Sequence, residues 1–229
     1  MSTMLDIRNL SVAIAGSAVL NHVSLSIAPG LFVGLVGRNG AGKTTLMRTI
    51  MGLLRARSGT ITVKGVDLVA VKPHDRANLG IGYMPEDRRL VPDLTVEENV
   101  LVPGWATHDA ELAQRLRFVY GMLPEVQQFG PRRALQLSGG QQKLVSLARA
   151  LFVGRNLLLL DEPFEGVAPA LAQRLVAAIA QLRHTGVSVL LSESDYVHSS
   201  DLVDRLYVIE RGVVTERTPT HSQAGGHAS

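Results

Sequence analysis

Two short stretches carry side chains that could bind and cut a phosphate. The first is Gly37, Arg38, Asn39, Gly40, Ala41, Gly42, Lys43, Thr44 and Thr45. It fits the pattern of glycine, four residues, glycine, lysine and a hydroxyl residue, and it follows an apolar run ending near Val36. Glycines let the backbone curl so that its N–H groups point inward at phosphate oxygens, and a helix starting there adds its positive end. Lys43 is placed to reach β- and γ-phosphates, and Thr44 to ligate Mg²⁺. The plainer alternative is a glycine-rich turn between strand and helix. The Lys-Thr pair and the helix-forming residues 46–52 behind it favour the phosphate reading. The second stretch is Asp161-Glu162, straight after the apolar run 157–160. Asp161 would hold Mg²⁺ through water and Glu162 would polarise an attacking water. By itself an acidic pair after a strand often marks only a helix N-terminus; beside a phosphate loop the metal and water roles account for it better.

These groups need a rigid frame, and the hydrophobic patterning supplies one. Residues 31–37, 157–160 and 187–191 are apolar at nearly every position, as expected of strands covered on both faces of a parallel sheet. Helical stretches separate them, which argues for an α/β sheet. Val23, Leu25 and Ile27 alternate with Ser24 and Ser26 as in a half-buried strand, and Pro29-Gly30 ends it. Residues 60–71 resume strand-like alternation around Lys64-Gly65, so the N-terminal third mixes antiparallel strands with the parallel core. Residues 95–129 read as mostly helical, with Thr95 and Glu98 forming a capping box. Ser138 and Gln141 repeat that arrangement before Leu144, Val145, Leu147, Ala148, Leu151 and Phe152, which share a helical face. A last helix over 169–184 has Pro169 at its start and Gly186 past its end.

Composition narrows the classes. The 229 residues, 46% hydrophobic, suit one domain with lobes, and no run approaches the roughly 18 apolar residues of a membrane span. The start, MSTMLDIRNL, lacks the basic and apolar regions of a secretory signal, so the chain is expected in the cytosol. With no Cys, disulfides and thiolate metal sites are excluded, and the scattered histidines show no zinc-like pairing. The net charge of +3 is dispersed and aromatics are only 4%, so no nucleic-acid partner is expected.

Leu137, Ser138, Gly139, Gly140, Gln141 and Gln142 then carry the decisive resemblance. Read alone they are an ordinary helix cap. With the phosphate loop and the acidic pair in this order, they resemble the signature of ATP-binding cassette (ABC) ATPases, over about residues 4–216. The resemblance implies an α/β P-loop NTPase core with a mixed sheet, an N-terminal antiparallel β subdomain and an inserted helical lobe near 95–150. These would form one domain over 1–217, followed by a disordered tail at 218–229. It implies ATP and Mg²⁺ as ligands, Lys43 and Glu162 as catalytic residues, and a second, identical or paralogous ATPase chain. Ser138, Gly139, Gly140 and Gln141 of one chain would close over the ATP of the other. Residues 81–100, with PEDRR and LTVEEN, and 161–171, DEPFEGVAPAL, are similar to ATPases of branched-chain amino acid importers. That branch implies integral membrane permease subunits, a periplasmic solute-binding protein and a seat on the cytoplasmic face of the inner membrane. A soluble cassette acting on ribosomes or DNA is the alternative, as is a weakly hydrolysing partner in a heterodimer.

Four positions depart from the general family pattern. Glu86 stands where most cassettes have glutamine and would bind on the metal side with Thr44 and Asp161; a solvated surface carboxylate is the bland alternative. Ser194 stands at the switch position usually held by histidine, and residues 164–168 lack the segment that many cassettes use to contact the opposite site. Ala15 replaces the aromatic ring expected against adenine. Base stacking on a ring is worth about 1–3 kcal/mol in nucleic-acid binders. Weak discrimination of ATP over GTP is therefore expected, and competition binding that shows a strong ATP preference would refute it.

Overall fold

The computed structural model describes residues 3–218, so the expected tail lies outside the described residues from position 219 onward. In chain order the elements are β1 (Leu5–Ile14), β2 (Ser17–Ile27), β3 (Phe32–Val36), α1 (Lys43–Ile50), β4 (Ser58–Val63), β5 (Val66–Asp67) and β6 (Ile81–Met84). There follow α2 (Val96–Ala106), α3 (Leu112–Met122), α4 (Pro124–Phe129), α5 (Gly139–Val153), β7 (Leu157–Asp161), α6 (Pro169–Gln181), β8 (Ser188–Glu193), β9 (Arg205–Glu210) and β10 (Val213–Arg217).

The central sheet has the order β10-β9-β3-β8-β7-β6; five strands run parallel and β10 pairs antiparallel with β9. A second, antiparallel sheet has the order β2-β1-β4-β5. The apolar strands divide their side chains between two cores. Leu158 and Leu160 of β7, with Val189 and Leu191 of β8, face the core shared with α2–α6. Leu157, Leu159 and Leu190 face the core shared with α1 and the antiparallel sheet. All four leucines of β7 are fully buried, which is why that run shows no polar alternation.

Both capping boxes form: Thr95 exchanges hydrogen bonds with Glu98, and Ser138 with Gln141. The named apolar face of α5 is buried throughout. Two segments differ from the pattern reading. The alternation after Lys64 ends early, because the Asp67 side chain accepts from Val69 N–H and turns Leu68–Ala70 into a 3₁₀ turn. The helix expected over 169–184 is α-helical to Gln181 and then tightens into a 3₁₀ turn, closed by Gly186 at φ +75°. Ala15 and Gly16 form the two-residue turn between β1 and β2, with φ of 48° and 84°, as a primed hairpin turn requires.

The C-terminus of α1 is closed by Arg76. Its guanidinium, almost fully buried, donates to the carbonyls of Thr49, Ile50, Leu68 and Val71, and among the described residues no carboxylate is bonded to it. A cation suits that end of a helix, and Gly52 at φ +74° makes room, since a Cβ there would lie 2.7 Å from Arg76 Cζ. Arg76→Ala strips donors from several buried carbonyls and is expected to lower the unfolding free energy by about 2–3 kcal/mol. Equilibrium urea unfolding checks this, and an unchanged midpoint would show that water replaces the guanidinium.

Candidate functional site

The loop between β3 and α1 is shaped by close backbone approaches. Gly37 N–H donates to Glu193 O at 3.1 Å, and a Cβ on Gly37 would lie 2.2 Å from the carbonyl of Ile209. Gly42 has φ +116°, and a Cβ there would meet Leu20 at 2.7 Å. Neither position tolerates a side chain. The other flank of the loop is held by the β9–β10 turn, where Gly212 N–H donates to Ala41 O at 3.0 Å. The curl leaves a cleft of about 320 Å³ lined by Asn39, Gly40, Gly42, Lys43, Thr44, Thr45, Glu86 and Glu162. A further hollow of about 600 Å³ abuts Gly37, Arg38, Asn39, Gly40 and Ala41, and is bounded by Ser194 and Val208–Arg211.

Lys43, at the first position of α1, is buried and forms an ion pair with Glu162 Oε1 at 3.0 Å. Its ammonium also donates to the carbonyls of Gly37 and Arg38 and to Ser194 Oγ. Glu162 is buried on left-handed backbone, φ +48°, a conformation that costs a non-glycine residue about 1–3 kcal/mol. Its amide donates to Ser192, and its carboxylate accepts from Ser194 N–H at 3.1 Å. Ser194 Oγ lies 2.8 Å from Glu162 Oε1 and 2.7 Å from Asn39 Oδ1. Its single proton can serve only one of them at a time.

Asp161, fully buried at the end of β7, accepts from Ser192 Oγ at 2.8 Å, Thr44 Oγ1 at 3.2 Å and the Tyr83 hydroxyl at 3.3 Å. Burial pushes its carboxyl above the usual range, and those three hydrogen bonds pull it back. A buried carboxylate hydrogen-bonded to a hydroxyl on the cleft wall makes a pair of hard oxygen donors of the kind Mg²⁺ prefers. The cleft lining brings Asn39, Gly40, Gly42–Thr45 and Glu162 together, with Asp161 bonded to Thr44 behind the wall and Ser194 bonded to Lys43 and Glu162. Glu86 lines the same cleft but is exposed and has no hydrogen bond to Thr44 or Asp161. Ser138, Gly139, Gly140 and Gln141 open α5 and are absent from the cleft lining, and Ala15 stands at a hairpin tip.

Several contributors escape sequence reasoning. Tyr83 comes from β6 and Ser192 from β8, and no motif marks either. Lys143, buried in α5, donates to Glu165 O at 2.5 Å; burial lowers its pKa, and the contact ties the signature helix to the segment after β7. Glu193, beside Ser194, is buried and its carboxyl is pushed up to about 7, chiefly by that burial.

A parallel sheet with a glycine-rich loop after one strand and an acidic pair after the next strand but one defines a P-loop nucleotide-binding protein. Comparison sharpens the class: the profile of the ABC transporter family matches residues 20–165, and the chain belongs to that family as an ATP-binding cassette ATPase. It is similar to the high-affinity branched-chain amino acid transport ATP-binding protein BraG of Pseudomonas aeruginosa, 37% identical over 91% of this chain and 90% of that one. It is also similar to the lipopolysaccharide export system ATP-binding protein LptB of Haemophilus influenzae, 33% identical over 95% of this chain and 91% of that one. Among solved structures, a nucleotide-free ATP-binding cassette from an ABC transporter superposes with a TM-score of 0.83 at 26% identity, covering 95% of this chain and 92% of that one. Among the described residues, no helix is long and apolar enough to cross a membrane.

Removing one donor from Asp161 tests its surroundings. Tyr83→Phe is expected to raise the Mg²⁺ concentration for half-maximal ATP turnover by about 10-fold, as loss of an outer partner does at other metal sites. An Mg²⁺ titration with unchanged midpoint would show that the tyrosine only fills space.

Proposed function

We propose that this ABC transporter subunit hydrolyses ATP to power import of branched-chain or related amino acids. What carries the ATPase mechanism is the convergence of Lys43, Thr44 and Glu162 on one cleft, with Asp161 hydrogen-bonded to Thr44 behind the wall. The likeness to BraG supports the solute class. Backbone N–H groups between Arg38 and Thr45 cradle the phosphates, and Lys43 turns from Glu162 to the β- and γ-phosphates. That exchange frees Glu162 to accept hydrogen bonds from the attacking water as well as from Ser194. Thr44 and Asp161, with Glu86 across the cleft, would hold Mg²⁺, which would neutralise charge on the phosphate oxygens. Ser138, Gly139, Gly140 and Gln141 of a second ATPase chain complete the site by donating to the γ-phosphate, so closure of the pair follows ATP binding. Permease subunits at the cytoplasmic face of the inner membrane take up that motion, and a periplasmic solute-binding protein delivers the solute.

The likeness to LptB favours a second reading, in which the same ATPase cycle serves export of a lipid. Deletion of the gene followed by uptake of labelled leucine separates the two. Loss of uptake, restored by the wild-type chain, supports the importer; normal uptake with outer-membrane defects supports the exporter. For the chemistry, Glu162→Gln is expected to lower ATP turnover by at least about 100-fold while ATP binding persists. A variant that turns over ATP at the wild-type rate would remove Glu162 from the mechanism.

A further inference from the structure

We propose that Glu193 is a positioning residue for hydrolysis, clasping the loop that carries Ser194 so that the serine stays against Glu162. The inference rests on the reading of Glu162 as the base. Glu193 is the last residue of β8 and is 3% exposed. Its main chain already belongs to the phosphate loop, because its carbonyl accepts the Gly37 N–H. Side chains alternate along a strand, so the Glu193 carboxylate leaves on the face opposite Ser192 and Ser194, whose hydroxyls meet Asp161 and Glu162.

On that opposite face the carboxylate accepts from Ser199 Oγ. Ser199 is fully buried, and its carbonyl accepts the N–H groups of Leu202 and Val203 at 2.9 and 3.2 Å. The loop from Ser194 to Ser199 is therefore tied at both ends to one residue, by a peptide bond at its start and by the carboxylate at its finish. His198 packs its ring on Phe164, 5.3 Å between centroids, and Phe164 lies two residues beyond Glu162. The loop is thus braced against both strand ends that carry the acids. An apolar side chain would fill this buried spot at lower desolvation cost, but only an acceptor can hold the buried Ser199 hydroxyl. If the loop drifts by about 1 Å, Ser194 loses its amide and hydroxyl contacts to Glu162, and misplacement on that scale is costly to turnover.

The test measures steady-state ATP turnover and equilibrium binding of a fluorescent ATP analogue by the full chain. Glu193→Ala and Ser199→Ala are each expected to lower kcat about 10-fold while analogue affinity stays within about 2-fold. Glu193→Gln, which keeps an acceptor oxygen, recovers most of the rate, and the double alanine variant is no slower than either single one, since both remove the same contact. Should Glu193→Ala fail to fold, Ser199→Ala decides alone. Wild-type kcat in the alanine variants alongside an inactive Glu162→Gln overturns the clasp. So does affinity that falls in step with kcat, which marks a merely structural role. Wild-type turnover in Glu162→Gln overturns instead the base assignment beneath it.

Discussion

Parallel pairing of β3, β8 and β7 in one register determines where chemistry can occur in this molecule. Val36 pairs with Glu193 and Asp161 with Ser192, so three strand ends stop at one level of the sheet. Each strand hands over to a loop there, and those loops bring Gly37–Thr45, Asp161-Glu162 and Ser194 to one rim. Side chains far apart in sequence become neighbours only through this register. A slip by one residue would turn Asp161 and Ser192 to opposite faces and bury a leucine against the phosphate loop. The two-sided burial of β7 and β8 makes such a slip expensive, because every apolar position already belongs to one of two cores.

Within that rim the electrostatics are arranged so that charges can exchange partners. A buried ion pair that loses one member usually leaves a stranded charge costing several kcal/mol. Lys43 and Glu162 each have further partners. The ammonium keeps the Gly37 and Arg38 carbonyls, and the carboxylate keeps the Ser194 amide and hydroxyl. Separation of the pair therefore strands neither group, and Lys43 can move to a phosphate without a large penalty. The left-handed backbone of Glu162 belongs to the same arrangement, since it aims the carboxylate back at α1 while Asp161 points toward Thr44 and Tyr83.

Features written as local pattern were legible in the sequence. The phosphate loop, both capping boxes and the doubly buried strands follow from spacing and residue type, and the resemblance to ABC ATPases joined them into one architecture. Tyr83, Ser192 and Glu193 were not legible, because each acts across the sheet or across a loop, and nothing in IGYM or LLSES announces a partner elsewhere. The misread stretch after Lys64 has a local cause: the two-residue β5 ends on an aspartate whose side chain competes with the ladder for the backbone. Glu86, singled out by its place in the chain, lines the same cleft as Thr44.

The start of α5 bears on how a structural cap and a functional group can be the same atoms. Ser138 Oγ accepts the Gln141 N–H, and the Gln141 side chain accepts the Ser138 N–H, so the capping box occupies one lone pair of the hydroxyl and leaves its proton free. The amides of Gly139 and Gly140, in the first turn of the helix, have no carbonyl four residues back to bond within the helix. The cap thus holds still a set of donors that it does not consume, at the positive end of a helix of 15 residues. Reading Ser138 as a cap and reading it as a phosphate donor are therefore compatible. In the proposed pair of chains the cap would supply the rigidity that makes donation to a phosphate on the other chain worthwhile, because preorganised donors lose little entropy when that chain arrives.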